Sequence, residues 1–245
     1  MLFRSIGTDH ANYMIDAEAP SAARVVYNHF GGASAFPLVS AELMGAVDQA
    51  DSADYNRAEI LDPQGWVLLN FVMDPRTGLG RFHDFGVSNY DLMMHLIDYC
   101  LSHSVDEVLQ LPDVAERVAL YRQQSALFRA QLERCTTVIG DVAVVDLRKE
   151  DPIYAGNRFM VYALCPEASV SLHVMWGRQK QNTVLAVGKS ILNRSNPVDI
   201  GALVLQFGGG GHRNAGTCQV GHEDAERDLG EIVSALNGAD VPSAR

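Results

Sequence analysis

The stretch that decides the fold is KSILNRSNPVDIGALVLQFGGGGHRNAG, residues 189–216. It reads as the end of a strand, a polar loop through Arg194, Ser195 and Asn196, and a helix over 197–207 opened by proline. Four consecutive glycines follow, from Gly208 to Gly211, and then His212, Arg213 and Asn214. Such a run costs backbone entropy if it only connects two elements. Its use is that amides without flanking side chains approach an anion closely and aim several N–H groups at it. His212 and Arg213 add donors, and a guanidinium can bind phosphate through two parallel hydrogen bonds. The G-K-[ST] ending of a Walker loop is absent, so ordinary nucleoside triphosphate binding is not implied. Gly209, Gly210, Gly211, His212, Arg213, Asn214 and the upstream Arg194 are the expected substrate-binding residues.

Working outward, the second half changes to a strand-like pattern. The runs 137–148, 157–166, 169–178 and 182–192 are short, β-rich and separated by turn residues, and 223–238 reads as a terminal amphipathic helix. A small α+β domain with a mixed sheet is expected over 137–245. A long helix over 112–134, with Val114, Val118, Leu120, Tyr121, Leu127, Phe128 and Leu132 on its apolar stripe, is expected to serve as the helical connector of 109–136.

The first hundred residues read as helical. AARVVYNHF follows Ser21 and stops at Gly31-Gly32; 37–50 has helical spacing with proline in its first turn; 88–103 is a capped amphipathic helix. GWVLLNFVM (65–73) is apolar on all sides and must be buried, whether helix or strand. The fold class is therefore α/β with two domains: a helix-rich domain over 1–108, the connector, and the smaller α+β domain.

The chain of 245 residues carries 30 acidic and 19 basic side chains, a net charge of −11, with 47% hydrophobic and 20% charged residues. That balance excludes a disordered chain, and the acidic excess argues against coating long nucleic acid through a general positive field. A local basic pocket remains open to it. Residues 1–105 hold thirteen acidic side chains against five arginines and no lysine. The window 178–213 reverses this, with Arg178, Lys180, Lys189, Arg194 and Arg213 against Asp199. The apolar stretch 66–73 is far too short to span a bilayer, and MLFRSIGTDH lacks the apolar core of a signal peptide. The four cysteines form no C-x-x-C pair, so reduced thiols, no membrane and a cytoplasmic location are expected.

The segment GGGGHRNAG resembles the GGGGH-x-x-A-G signature of the DHH-associated domain, the C-terminal half of DHH-family phosphoesterases. The likeness extends upstream through residues 189–207, and IDAEAPSAARVVYNHFGG, AVDQADSADY and GWVLLNFVMDPRTGLGRF are similar to the exopolyphosphatase-related and nanoRNase-like branch. The resemblance implies a two-domain hydrolase that uses a pair of Mn²⁺ or Mg²⁺ ions to activate water against phosphorus, with the C-terminal domain gripping the anionic end of its substrate. The implied partners are a short oligonucleotide, a dinucleotide or polyphosphate, and a homodimer is a further expectation.

The sequence departs from that family at the motif that names it. Thr8-Asp9-His10-Ala11 holds one Asp-His pair, with alanine where a second histidine would stand, so the named triplet is expected upstream of Met1. Asp51, in Ala50-Asp51-Ser52, resembles the family's later metal-ligating aspartate, with Asp48 and Asp54 as close alternatives. Asp48 and Asp51 stand three apart, on one face of a continuous helix. A solvated helix end is the other reading of this cluster. Two function classes follow: a phosphoesterase, or a module that binds short phosphate ligands without turnover. The arginines of Asp74-Pro-Arg-Thr-Gly-Leu-Gly-Arg81 are a weaker phosphate candidate, a plain turn being at least as good a reading.

Overall fold

The computed structural model describes residues 14–238. They divide into two compact units, one made of 14–124 with Ala155–Asn157, the other of Ser125–Tyr154 with 158–238. The division falls inside one long helix. The fold is mixed α/β, with ten α-helices and a six-stranded mixed sheet among the described residues.

The first unit is helical. It holds α1 (Ala22–His29), α2 (Ala41–Ser52), α3 (Arg57–Leu61), α4 (Gly65–Met73), α5 (Asn89–Tyr99), α6 (Val105–Leu109) and the first half of α7 (Pro112–Cys135). Side-chain oxygens start most of them. Ser21, Ser40, Asn56, Ser88 and Ser104 each accept a backbone N–H from the first turn, satisfying a donor that the helix itself cannot. Pro37 lies outside α2, which starts after Ser40, so the expected proline-opened turn is corrected to a serine cap. The core gathers α4 (Val67, Leu68, Leu69, Phe71, Val72) with Ile60, Leu92, Leu96, Val108, Val114 and Tyr121. The all-round apolar run at 65–73 is thus a buried helix. Arg117 is buried as well; its Nη1 donates to Asp113 O at 2.7 Å and its Nη2 to Val87 O at 2.6 Å, above the ring of Phe85.

The second unit is built on β1 (Thr136–Ile139), β2 (Val142–Asp146), α8 (Met160–Leu164), β3 (Val170–Trp176), β4 (Thr183–Lys189), α9 (Ile200–Leu205), β5 (Gly210–His212), β6 (Ala215–Val220) and α10 (Ala225–Leu236). The strand order is β1-β2-β3-β4-β6-β5, and only β2 and β3 run parallel. Val142, Val144, Val170, Leu172, Val174, Leu185, Val187 and Cys218 alternate onto one face. There they pack with Ile200, Leu203 and Val204 of α9 and Ile232, Val233 and Leu236 of α10. Tyr162 of α8 lies on the opposite face, its hydroxyl 2.9 Å from Ser171 Oγ and donating to Gly188 O at 2.9 Å.

The run 157–166 is the helix α8, not a strand: Met160, Val161, Tyr162 and Ala163 are all buried, a continuous run that lacks the alternation of a half-buried strand. The run 137–148 is two antiparallel strands joined at Gly140 and Asp141, where Gly140 takes the left-handed φ of +59°. Pro197 precedes α9, whose cap is Asp199, accepting from Ala202 N. The terminal helix at 223–238 is present as α10, and no helix of the described residues is long and apolar enough to cross a membrane.

Candidate functional site

The expected glycine loop is a hairpin. Gly208, at φ +72°, terminates α9, with its N–H donating to Leu205 O and that of Gly209 to Val204 O. The chain then enters β5, the edge strand of the sheet, in register Gly210↔Thr217, Gly211↔Gly216 and His212↔Ala215.

Most of these glycines are required by packing. A Cβ on Gly209 would overlap Thr217 O and stand 2.7 Å from Cys218 Cβ; one on Gly211 would overlap Ala215 O and Gly216 Cα; one on Gly216 would lie 2.7 Å from Val204 Cγ2. Gly210 differs. A Cβ there meets nothing within 4 Å, its φ is not in the left-handed region, and it is exposed. The space above its backbone is open.

The hairpin tip is Arg213 and Asn214, and its carbonyls are spent inward. Ile200 N–H donates to Arg213 O at 3.2 Å, and Lys189 N–H to Asn214 O at 2.9 Å. Asn214 N–H donates to His212 Nδ1 at 3.2 Å. With Nδ1 accepting, the neutral imidazole carries its proton on Nε2 and offers that N–H as a donor, a tautomer assigned from this bond. His212, Arg213 and Asn214 are all exposed, and Arg213 has no carboxylate partner among the described residues.

Lys189 belongs to the same corner, although the expected site did not include it. Its ammonium donates to Asn196 O at 2.9 Å. Burial pulls its pKa down and the nearby Arg213 guanidinium pulls further, against the opposing carboxylate of Asp199. Two cations that repel each other make a corner where an anion is favoured. The basic window 178–213 contained this signal, but only the β4–β6 pairing, Gly188↔Ala215, brings Lys189 to the tip. Arg194 is exposed on the loop between β4 and α9, where its Nε donates to Ile191 O at 3.0 Å. Its bond is thus to its own loop rather than to the hairpin.

In the first unit, Asp48 and Asp51 share a face of α2 and both meet the start of α1. Asp48 accepts from Ser21 Oγ at 2.6 Å and from Arg24 Nε at 2.9 Å, with a second, shorter ion pair to Arg24 Nη2. Burial raises its pKa, yet the hydrogen bonds from Arg24 and Ser21 outweigh that and hold the carboxyl below the usual range. Asp51 accepts from Ala22 N–H at 3.2 Å, an anion on the positive end of α1. It lines a cavity of about 720 Å³ with Ser21, Val26, His29 and Phe30. Asp54 is exposed beyond the end of α2. No group of three or more His, Cys, Asp or Glu that could hold a metal ion occurs among the described residues. Asp9 and His10 lie outside them. In the 74–81 loop, Arg76 pairs with its own neighbour Asp74 at 2.8 Å, and Arg81 folds back over Gly78 at φ +84°.

No family model and no curated protein matches the sequence. Among solved structures, the chain is 52% identical to the pGpG-specific phosphodiesterase PggH from Vibrio cholerae, over 95% of this chain and 78% of that one, with a TM-score of 0.85. It is 13% identical to an exopolyphosphatase-related protein from Bacteroides fragilis, over 83% of this chain and 56% of that one, with a TM-score of 0.41. To the DHH domain of a protein described as a member of a ribosomal-protein family it is 12% identical, over 83% and 55%, with a TM-score of 0.38. The last two likenesses are too distant to carry an argument.

Proposed function

This chain belongs to the DHH-family phosphoesterases, and from that membership we propose that it acts on short, phosphodiester-linked nucleotides such as pGpG, whose phosphate end is held by the 209–214 hairpin. The observation that carries the proposal is the open space above Gly210 beside His212, Arg213 and Lys189. A phosphoryl group entering there approaches bare backbone, accepts the Nε2–H of His212 and takes two parallel bonds from Arg213. Lys189 adds positive potential from behind. Contacts of this kind read charge and geometry rather than base, so a polyphosphate end competes for the same corner.

The Mn²⁺ or Mg²⁺ ions that the resemblance implies need several oxygen or nitrogen ligands. The described residues do not fit a dinuclear centre: Asp48 is committed to Arg24 and Ser21, and neither Asp51 nor Asp54 belongs to a group of three or more His, Cys, Asp or Glu that could hold a metal ion. The same observation favours a second reading, in which the chain holds the dinucleotide without cleaving it.

Calorimetry with pGpG, run beside chromatographic detection of guanosine monophosphate with and without added Mn²⁺, tests both. Arg213→Ala should weaken binding by about 10- to 100-fold, the loss of a charge-assisted pair. Product release establishes hydrolysis, and tight binding without product establishes the second reading. Absence of binding, or binding indifferent to Arg213→Ala, overturns the assignment of the hairpin.

A further inference from the structure

We infer that Gly201 is a positioning residue for the phosphate-gripping hairpin, setting its location through the absence of a side chain. The inference rests on the reading of that hairpin as the anion site. Gly201 sits in the first turn of α9, where glycine weakens a helix relative to alanine. Its φ is not left-handed, so backbone conformation does not require it.

Space does. A Cβ on Gly201 would stand 2.8 Å from both the carbonyl carbon and oxygen of Gly211 and 3.0 Å from the amide nitrogen of His212. These are backbone atoms of β5, which cannot swing aside as a side-chain tip would. The adjoining Ile200 N–H donates to Arg213 O. Asp199, which caps the same helix, is the carboxylate opposing Arg213 at Lys189. The first turn of α9 therefore sits directly against the backbone that carries Gly210, His212 and Arg213. Adding one methyl must move the strand outward, and the donors move with it.

Gly230 supplies the control. It is a helical glycine in the same unit, in α10, where a Cβ meets nothing within 4 Å. The test compares wild type, Gly201→Ala, Gly230→Ala and Arg213→Ala by calorimetry with pGpG, by circular dichroism and by amide spectra of ¹⁵N-labelled full chain. Gly201→Ala should raise Kd by about tenfold or more, the loss of one charge-assisted hydrogen bond. Its amide shifts should concentrate at 210–213 and leave β2 and β3 in place, whereas a general loss of stability would not single out those amides. Gly230→Ala should bind as wild type.

Wild-type affinity for Gly201→Ala, with Arg213→Ala impaired, overturns the positioning role and leaves the hairpin assignment standing. Wild-type affinity for both variants overturns the hairpin assignment itself. Should circular dichroism show Gly201→Ala unfolded, Val204→Ala loosens the same seat without adding bulk, since Val204 is the α9 side chain nearest Gly216. Its affinity for pGpG must then fall too, and unchanged affinity overturns the inference.

Discussion

The substitution of alanine at Gly210 and, separately, at Gly211 separates the glycine proposed to face the ligand from one that packing requires, within one tripeptide. At Gly210 the added methyl meets no protein atom within 4 Å, and the backbone is one that alanine adopts freely. Removing glycine from a strand lowers the entropy lost on folding, so Gly210→Ala should leave stability unchanged or raise it by about 0.5–1 kcal/mol. At Gly211 the methyl overlaps Ala215 O and Gly216 Cα, both backbone atoms of the partner strand. Overpacking of that kind costs about 1–3 kcal/mol. The order reverses for ligand. A methyl in the open space above residue 210 holds a phosphoryl oxygen away from the amides, forfeiting a charge-assisted bond of about 1.5–3 kcal/mol, or roughly 10- to 150-fold in Kd. Urea unfolding gives the stability of each variant, and calorimetry with pGpG at a temperature where both are folded gives the affinity. The reasoning is refuted if Gly210→Ala binds as tightly as wild type, because no ligand then closes on that backbone. It is equally refuted if Gly211→Ala is harmless to stability, because the packing argument that singled out Gly210 would then be void.

Three further outcomes are expected. Burial pushes the imidazole of His173, on β3, down to about 4, so below its ordinary pKa of about 6.5 the unfolded chain takes up a proton that the native state refuses. Stability should therefore fall as pH drops from about 6.5 towards 4, by at most about 3 kcal/mol, and His173→Gln should remove that part of the dependence in urea titrations at about pH 7 and 4.5; an unchanged dependence contradicts it. Tyr162→Phe deletes the hydroxyl shared by Ser171 and Gly188 and should cost about 1–2 kcal/mol by urea unfolding, and no loss would mean that this bridge adds nothing to the face opposite α9 and α10. Arg117→Lys should cost about 2 kcal/mol in thermal unfolding, because one ammonium cannot serve the carbonyls of Asp113 and Val87 together; a neutral result would show that one of those bonds is idle.

What the sequence made legible follows from how local each signal is. The amphipathic pattern at 223–238 and the serines before α1 and α5 need only their own neighbours, and they stand where the pattern places them. The short helices α3 and α6 leave no periodic signal, although each begins with a readable capping box, Asn56 with Glu59 and Ser104 with Glu107. Their apolar stripes are one turn long, too short for periodicity to register. The run 157–166 misled for the opposite reason: α8 is buried on successive positions, and continuous burial erases the period that separates helix from strand. At Pro37 and Pro197 the expectation used a sound rule in the wrong place, since Ser40 and Asp199 cap more strongly than a proline two or three residues upstream.

The candidate sites show where locality ends. Asp48 and Asp51 share a helix face, as their spacing requires, but what that face meets is the start of a helix 27 to 29 residues earlier in the chain. Nothing in the spacing of two aspartates distinguishes a carboxylate awaiting a cation from one already neutralised by Arg24. The glycine run carries the same ambiguity in sharper form. From sequence all four glycines look alike, as a cradle of bare amides. In the fold, Gly208 ends a helix, Gly209 and Gly211 admit a neighbouring strand, and Gly210 alone combines an ordinary backbone with open space. Lys189 enters the corner through strand register, and Gly201 through the approach of a helix to a backbone ten residues away. The candidate donors of the hairpin are legible because they are consecutive in the chain. The geometry that aims them is not, because it is set by residues whose contribution is a register or a missing methyl group.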